Sequence, residues 1–463
     1  DQAAAVVYVM RKSLNAEENY IRMTEQPVRS LILQLATPTI ISMLITSFYS
    51  MTDTIFVSRL GTESSAAVGI VYSIMSIIQS IGITFGQGSA NTVSRLLGSK
   101  KRTEADEVFS TAFFTSMGIA IIFTLLGLAG TGSLVRFLGA TPTIAPEAER
   151  YASVILIGAP WMTVCYTMNN NLRSEGKAHL GMLGMSSGAV LNVILDPIFI
   201  FALDMGIRGA ALATVLSQGV SFFILFSHFV KRRSNLHLSV RHVRLKWWIY
   251  RNIFTVGAPS LFRTMLHTVS AICLNVFSAP FGDVAIAAMS ITTRVMQFLN
   301  SALIGFGQGL QPVAGFSWGA KRYDRLIEAF KFCVRTGVLA FTFIGVICFA
   351  TAHYIMLLFL SDPAVIAIGT VAIRYQCILM PLSAFNTLSG MVFQSTGHSS
   401  SSSVLALARQ GFFFIPVIAL LPGLVGIVGL QLAQPIADVL TFVLSLAYIL
   451  PFLKRLQSLA SVG

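Results

Sequence analysis

The sequence predicts an all-α membrane protein, with twelve transmembrane helices in two pseudo-symmetric six-helix lobes. Three observations lead there. Only 11% of the 463 residues are charged, while 54% are hydrophobic and the mean hydropathy is +0.74. A soluble domain carries about 25% charged residues, and so few charges cannot cover a water-facing surface. The apolar residues also fall into twelve runs, each near the roughly 20 residues that a bilayer crossing requires. Finally, Phe85-Gly-Gln-Gly88 recurs as Phe306-Gly-Gln-Gly309, 221 residues further on.

In chain order, residues 1–30 form a cytoplasmic N-terminal segment. Residues 1–9 look unrelated to the rest of the chain, and Met10-Arg11-Lys12 resembles a bacterial start, so residues 1–9 are expected to be an expression or start-site artefact. Spans 1 to 6 lie at about 31–57, 65–92, 108–131, 151–172, 180–203 and 208–230, making an N-terminal lobe of residues 31–230. A basic cytoplasmic linker covers 231–251. Its Lys246-Trp-Trp-Ile-Tyr250 reads either as an interfacial segment, with rings at headgroup level, or as a solvated basic loop. Spans 7 to 12 lie at about 252–278, 284–316, 329–356, 365–394, 401–421 and 427–452, in a C-terminal lobe of residues 252–453 followed by a tail of 454–463. The Gly and Pro residues inside several spans are tolerated where neighbours satisfy the freed backbone groups.

The repeat holds its offset over most of each lobe. Pro38 pairs with Pro259, Gly61 with Gly282, Gly98 with Gly319, Lys100 with Lys321, Pro160 with Pro381 and Gly176 with Gly397. It slips by one near the ends, where Gly206 and Gly209 match Gly426 and Gly429. Six spans per half is an even number. The halves therefore enter the bilayer the same way round, a plan found in secondary transporters. The glycines of the repeated motif suit close helix contact or bending, and no phosphate-loop Lys-Ser/Thr comes after them.

The net charge of +13 does not point to nucleic acid, because most Lys and Arg residues sit in short segments between spans. With the N-terminus inside, cytoplasmic segments hold 23 of them and outward segments four (Arg59, Arg136, Arg150, Arg208). The positive-inside rule then puts both termini in the cytoplasm of a multi-pass plasma-membrane protein. Cys165, Cys273, Cys333, Cys348 and Cys377 lie in apolar stretches without metal-ligand spacing and read as buried thiols.

A carboxylate inside a span is costly, by about 2.5–3.5 kcal/mol on insertion scales, and is a functional-site hypothesis by default. Three stand out: Asp53, Asp196 and Asp438. Shifting Asp53 by 221 gives Leu274 and shifting Asp196 gives Val417, so the repeat does not demand these two acids. Asp53 near the outer end of span 1, Asp196 in the outer third of span 5 and Thr214 two turns into span 6 share one layer. Tyr49 and Asn192 each stand four residues before an acid, on the same helical face. Carboxylates, amides and hydroxyls converging in a low-dielectric cavity form a group that binds and releases a proton or accepts Na⁺. The competing reading makes Asp53 a near-interface residue and Asp196-Pro197 a helix cap. Asp438, midway through span 12, is either a second site or the partner of one of the arginines Arg263, Arg294, Arg374 and Arg409.

Pro38 to Tyr49 continuing through Asp53-Thr-Ile-Phe-Val-Ser-Arg-Leu-Gly61 resembles span 1 of the multidrug and toxic compound extrusion (MATE) transporters. Leu191-Asn192-Val-Ile-Leu-Asp196-Pro197 with Gly206-Ile-Arg-Gly-Ala-Ala-Leu-Ala-Thr214 resembles their spans 5 and 6, and the likeness extends from about 28 to 455. The resemblance implies a V-shaped, cofactor-free transporter whose lobes alternate access. It would export organic cations and drugs in exchange for H⁺ or Na⁺, as a monomer in the bilayer. The DinF-like branch would place ion coupling at Asp53, Asn192, Asp196 and Thr214, further cavity positions at Tyr49, Tyr151 and Asn169, and helix bending at Pro38. The acidic ligands that another branch carries in spans 7 and 10 are missing here. A lipid-linked saccharide flippase of the same superfamily is the alternative, kept open by the cationic C-terminal half. No metal-binding His pair, Gly-x-Ser-x-Gly or Cys/His constellation suggests an enzyme.

Overall fold

The computed structural model describes residues 15–462, almost entirely as helix. Residues 1–9, with their expected start-site artefact, lie outside the described residues. A short helix, Ala16–Glu25, comes first. Asn15 caps it by accepting from the Glu17 and Glu18 N–H groups, while Glu18 accepts the Asn15 N–H. Such a reciprocal box satisfies amides that a helix start leaves orphaned. Asn19 Nδ2 then donates to the Glu175 carbonyl at 2.6 Å, and Arg22 donates to that of Gly176 at 3.2 Å. These bonds dock the helix on the turn between spans 4 and 5.

Twelve long helical segments come next. Spans 1 to 6 are Val28–Ser58, Thr62–Gly98, Arg102–Ala129, Ala145–Ser174, Ala178–Pro197 with its continuation Ile198–Ala202, and Gly206–Val230. Spans 7 to 12 are Trp247–Ser278, Asp283–Gly319, Tyr323–Phe359, Pro363–Ser395, Ser399–Leu407 continuing to Val425, and Ile427–Val462. By length and composition, eleven of them are apolar enough to cross a membrane. The twelfth, span 8, is 37 residues long but carries Arg294, Gln297, Asn300 and Gln308 among its apolar residues. The Lys246–Tyr250 stretch is not a loop. Trp247 opens span 7 and is 79% exposed, while Ile249 is fully buried.

Two spans depart from regular α-helix. Span 5 passes through Pro197, which has no N–H to donate, into a π-helical turn over Ile198–Ala202. Span 11 contains a longer π-helical stretch, Ala408–Phe414. Such wider turns inside α-helices are frequent at functional sites.

The repeat is written into the backbone. Left-handed φ values occur at Gly61 and Gly282 (112° and 88°), Lys100 and Lys321 (61° and 56°), Gly176 and Gly397 (87° and 84°), and Gly206 and Gly426 (55° and 67°). Each pair closes the same inter-helix turn in the two copies.

The chain forms two compact units. One contains Thr37–Gly257 and the segment ending at Gln26, and the other contains Pro27–Ala36 and the chain from Ala258 onward. Spans 1 and 7 therefore each begin in one unit and continue in the other, changing over just before Pro38 and Pro259. Within the first unit, a Cβ on Gly88 would lie 2.0 Å from the Ile253 carbonyl oxygen, and one on Gly257 would lie 2.3 Å from that of Thr84. Within the second, a Cβ on Gly309 would lie 2.6 Å from Ala36 Cα. The last glycine of each Phe-Gly-Gln-Gly motif thus admits the backbone of a helix start, the close contact expected of it.

Candidate ion-coupling site

Four helices of the first unit converge on the two acids. Span 1 carries Tyr49 and Asp53 one turn apart, span 4 carries Tyr151, span 5 carries Asn192 and Asp196, and span 6 carries Thr214. Their position depends on the break in span 5. Beyond Pro197 the π turn lets the start of span 6 pack so tightly that a Cβ on Gly209 would lie 2.6 Å from the Phe199 carbonyl oxygen. That contact sets the height of Thr214 against Asn192. Asp196 is fully buried, and Tyr151, Asn192 and Thr214 are each 1% exposed.

The side chains gather in one cluster. The Asp53 and Asp196 carboxyl groups lie side by side. With its amide nitrogen turned to Asp196, Asn192 donates to Oδ2 at 2.8 Å, and its carbonyl accepts from Thr214 Oγ1 at 3.3 Å and the Thr214 N–H at 3.2 Å. Tyr49 and Tyr151 lie beside Thr214 and the two acids. One oxygen on each acid, Asp53 Oδ1 and Asp196 Oδ1, is buried without a partner. Buried carboxylate oxygens are normally satisfied, so the cluster has capacity for one more ion or donor. An ionised carboxyl only accepts hydrogen bonds, so a bond between these two would require a proton on one of them.

Asn169 stands apart from this group. Its Oδ1 would lie 2.3 Å from a Cβ on Gly181, near the other end of span 5. At a rise of 1.5 Å per residue, Gly181 is about 22 Å along the helix from Asp196. Pro38 lies inside an uninterrupted span 1. Sequence reading missed Tyr166 and Gln79, whose side chains share a hydrogen bond of 3.1 Å near Tyr49. Tyr166 comes about four turns after Tyr151 on span 4, and that spacing was the available signal.

The second unit replaces the site with hydrocarbon. The positions 221 residues after Asp53, Tyr151, Asn192 and Asp196 are Leu274, Ala372, Phe413 and Val417, and all four belong to one apolar cluster with Phe414, Ile418 and Leu430. The repeat therefore folds without acids here, although the position 221 residues after Tyr49 is the buried Ser270, which donates to the Gln410 carbonyl at 3.2 Å. Asp438 occupies a different place and a different chemistry. Arg409, on the π-helical stretch of span 11, donates from Nε to Asp438 Oδ1 at 2.7 Å. Gln434 donates to the same oxygen at 3.2 Å, and Ser383 donates to Oδ2 at 3.0 Å. Both oxygens of this acid are satisfied within the protein. Among the other arginines considered as its partners, Arg263 donates to Ser260 Oγ at 3.2 Å and Arg374 to the Phe349 carbonyl at 3.3 Å.

The two-unit helical plan has counterparts among known proteins. The MatE family model matches residues 38–198 and again 259–420, one match in each repeat. The chain belongs to the MatE family. This MatE chain is 28% identical over 408 residues to the multidrug export protein MepA of Staphylococcus saprophyticus, covering 88% of this chain and 90% of MepA. It is similar in structure to a multidrug resistance MATE family transporter in an outward-facing conformation, with a TM-score of 0.89 at 25% identity, covering 95% and 98% of the two chains. A transporter from Pyrococcus furiosus, described as having a binding pocket of reverse polarity, shares the fold at a TM-score of 0.88 and 24% identity, with 94% and 98% covered. The MatE chain is thus a multi-pass membrane transporter and not an enzyme.

Proposed function

We propose that this protein exports drugs or amphipathic cations in exchange for protons, through alternating access of its two units. The relatives that are multidrug export proteins support the substrate class. The observation that carries the coupling assignment is the adjoining Asp53–Asp196 pair, closed in by Asn192, Thr214, Tyr49 and Tyr151 and absent from the second repeat. An external proton enters this pair, span 1 bends near Pro38, and the substrate leaves on the outer side. Coupling requires differential binding, with the protonated pair favouring the substrate-poor state. Two neighbouring buried carboxyls are most readily accommodated with one of them protonated, since like charges at close range disfavour double ionisation, and this favours H⁺ over Na⁺.

The flippase reading is weaker here, because Asp438 neutralises one of the cations that would hold a pyrophosphate. Efflux of a fluorescent organic cation from proteoliposomes, with pH and Na⁺ gradients imposed separately, tests the proposal. A pH gradient should drive efflux in the native protein and not in Asp53→Asn. Efflux driven by Na⁺ alone, or unchanged efflux in the variant, would overturn it.

A further inference from the structure

A second polar feature of the first unit lies at the opposite, basic end of its helices. A cavity of about 300 Å³ is lined by Ala16, Arg102, Thr103, Asp106 and the loop after span 6, including Arg232, Ser234, Asn235 and His237. This is the face that the Lys and Arg count assigns to the cytoplasm. We infer that the cavity binds a phosphate group, held by Arg102 and Arg232 with hydrogen bonds from Thr103 and Asn235.

Four observations support this. The acids nearby are already engaged. Asp106 accepts from the His237 backbone N–H at 2.8 Å and pairs with its ring at 3.3 Å. Glu175 accepts from Ser234 Oγ and from the Asn235 N–H, both at 2.7 Å. Second, neither the Arg102 nor the Arg232 guanidinium has an ion-pair or hydrogen-bond partner among the described residues, so two positive side chains line the cavity against the one carboxylate of Asp106. Third, Asn235 lines the cavity and is held there, its Oδ1 accepting from Lys177 Nζ at 3.2 Å. Fourth, the loop is held in position before any ligand arrives. Lys177 donates to the Arg233 carbonyl, Ser110 donates to the His237 carbonyl at 3.2 Å, and Arg232 is fixed in a left-handed conformation at φ 52°. A preorganised site loses little affinity to ordering its own groups. Arg102 opens span 3 without a side-chain cap, so the first amides of that helix add positive field at the same place.

A phosphate can come from an anionic lipid headgroup or from solution, and two measurements on the full-length protein separate the sources. In the first, delipidated protein is titrated with phosphatidylglycerol or phosphatidylcholine and bound lipid is counted by native mass spectrometry. In the second, thermal unfolding is monitored with and without inorganic phosphate. The variants are Arg102→Gln, Arg232→Gly and the double substitution, with Arg136→Gln as a control outside the cavity. Glycine is native-like at a positive φ, so Arg232→Gly removes the charge without disturbing the loop. Losing one charge-assisted contact worth about 1.4 kcal/mol weakens binding about tenfold. Phosphatidylglycerol retention should fall about tenfold in each single variant and about a hundredfold in the double, with the control unchanged. If retention is unaffected but phosphate stabilises only the native protein, the site takes soluble phosphate. If neither readout distinguishes the double variant from the native protein, the inference is wrong.

Discussion

Two acidic positions in the spans differ in what surrounds them, and that difference separates a paired carboxylate from the proposed coupling carboxylate. Asp438 has both oxygens bound by Arg409, Ser383 and Gln434. Asp438→Asn would leave the part-buried Arg409 guanidinium without its counter-ion, and breaking such a pair costs up to about 3 kcal/mol. Thermal unfolding of Asp438→Asn should show a large loss, partly recovered in Asp438→Asn with Arg409→Gln. Asp53→Asn should behave differently. An amide has the shape of a protonated carboxyl and can still donate to Asp196, so stability should stay within about 1 kcal/mol while proton coupling is lost. The sequence revealed both acids by their cost in an apolar run. It could not reveal the Arg409–Asp438 pairing, because 29 residues and a π-helical stretch separate them and four arginines competed as partners.

Helix packing explains the Phe-Gly-Gln-Gly motif, whose glycines the sequence marked only as contact or bending points. Gly88 faces the backbone of span 7, where a Cβ would come within 2.0 Å of the Ile253 oxygen, whereas Gly118 in span 3 has nothing within 4 Å. Gly88→Ala should therefore force the two helices apart at a cost of about 1–3 kcal/mol. Gly118→Ala should gain about 0.5–1 kcal/mol from helix propensity alone. Comparing the two unfolding midpoints checks both signs. The turn residues are a second case. Arg232, Lys100 and Lys321 hold left-handed conformations that cost an L-residue more than glycine. Arg232→Gly should raise the unfolding midpoint slightly, and a fall would place an unrecognised contact on that side chain. Helix ends were the least legible feature. Span 8 continues to Gly319 and span 7 begins at Trp247 because polar and aromatic residues carry the helices beyond their apolar runs.

At the scale of the whole chain, the duplication makes function visible, since the second copy shows what the fold requires without the chemistry. Twelve spans, two copies and the grouping of Tyr49, Asn192, Asp196 and Thr214 with Asp53 were legible, because hydrophobic runs, constant offset and helical spacing are local or periodic signals. The exchange of helix starts between units was not legible, because it depends on which backbones approach, and hydropathy does not encode that. Tyr151 and Asn169 came by resemblance alone; Tyr151 lies beside the acids, whereas helix rise puts Asn169 far from Asp196. The central claim is that the Asp53–Asp196 pair holds a proton that the outward-driven cycle exchanges for substrate. The most direct measurement is proton release when an organic cation is added to purified protein in weakly buffered solution. About one proton should be released per bound cation, with none from Asp53→Asn or Asp196→Asn. Cation binding without proton release from the native protein, or equal release from the variants, would contradict it.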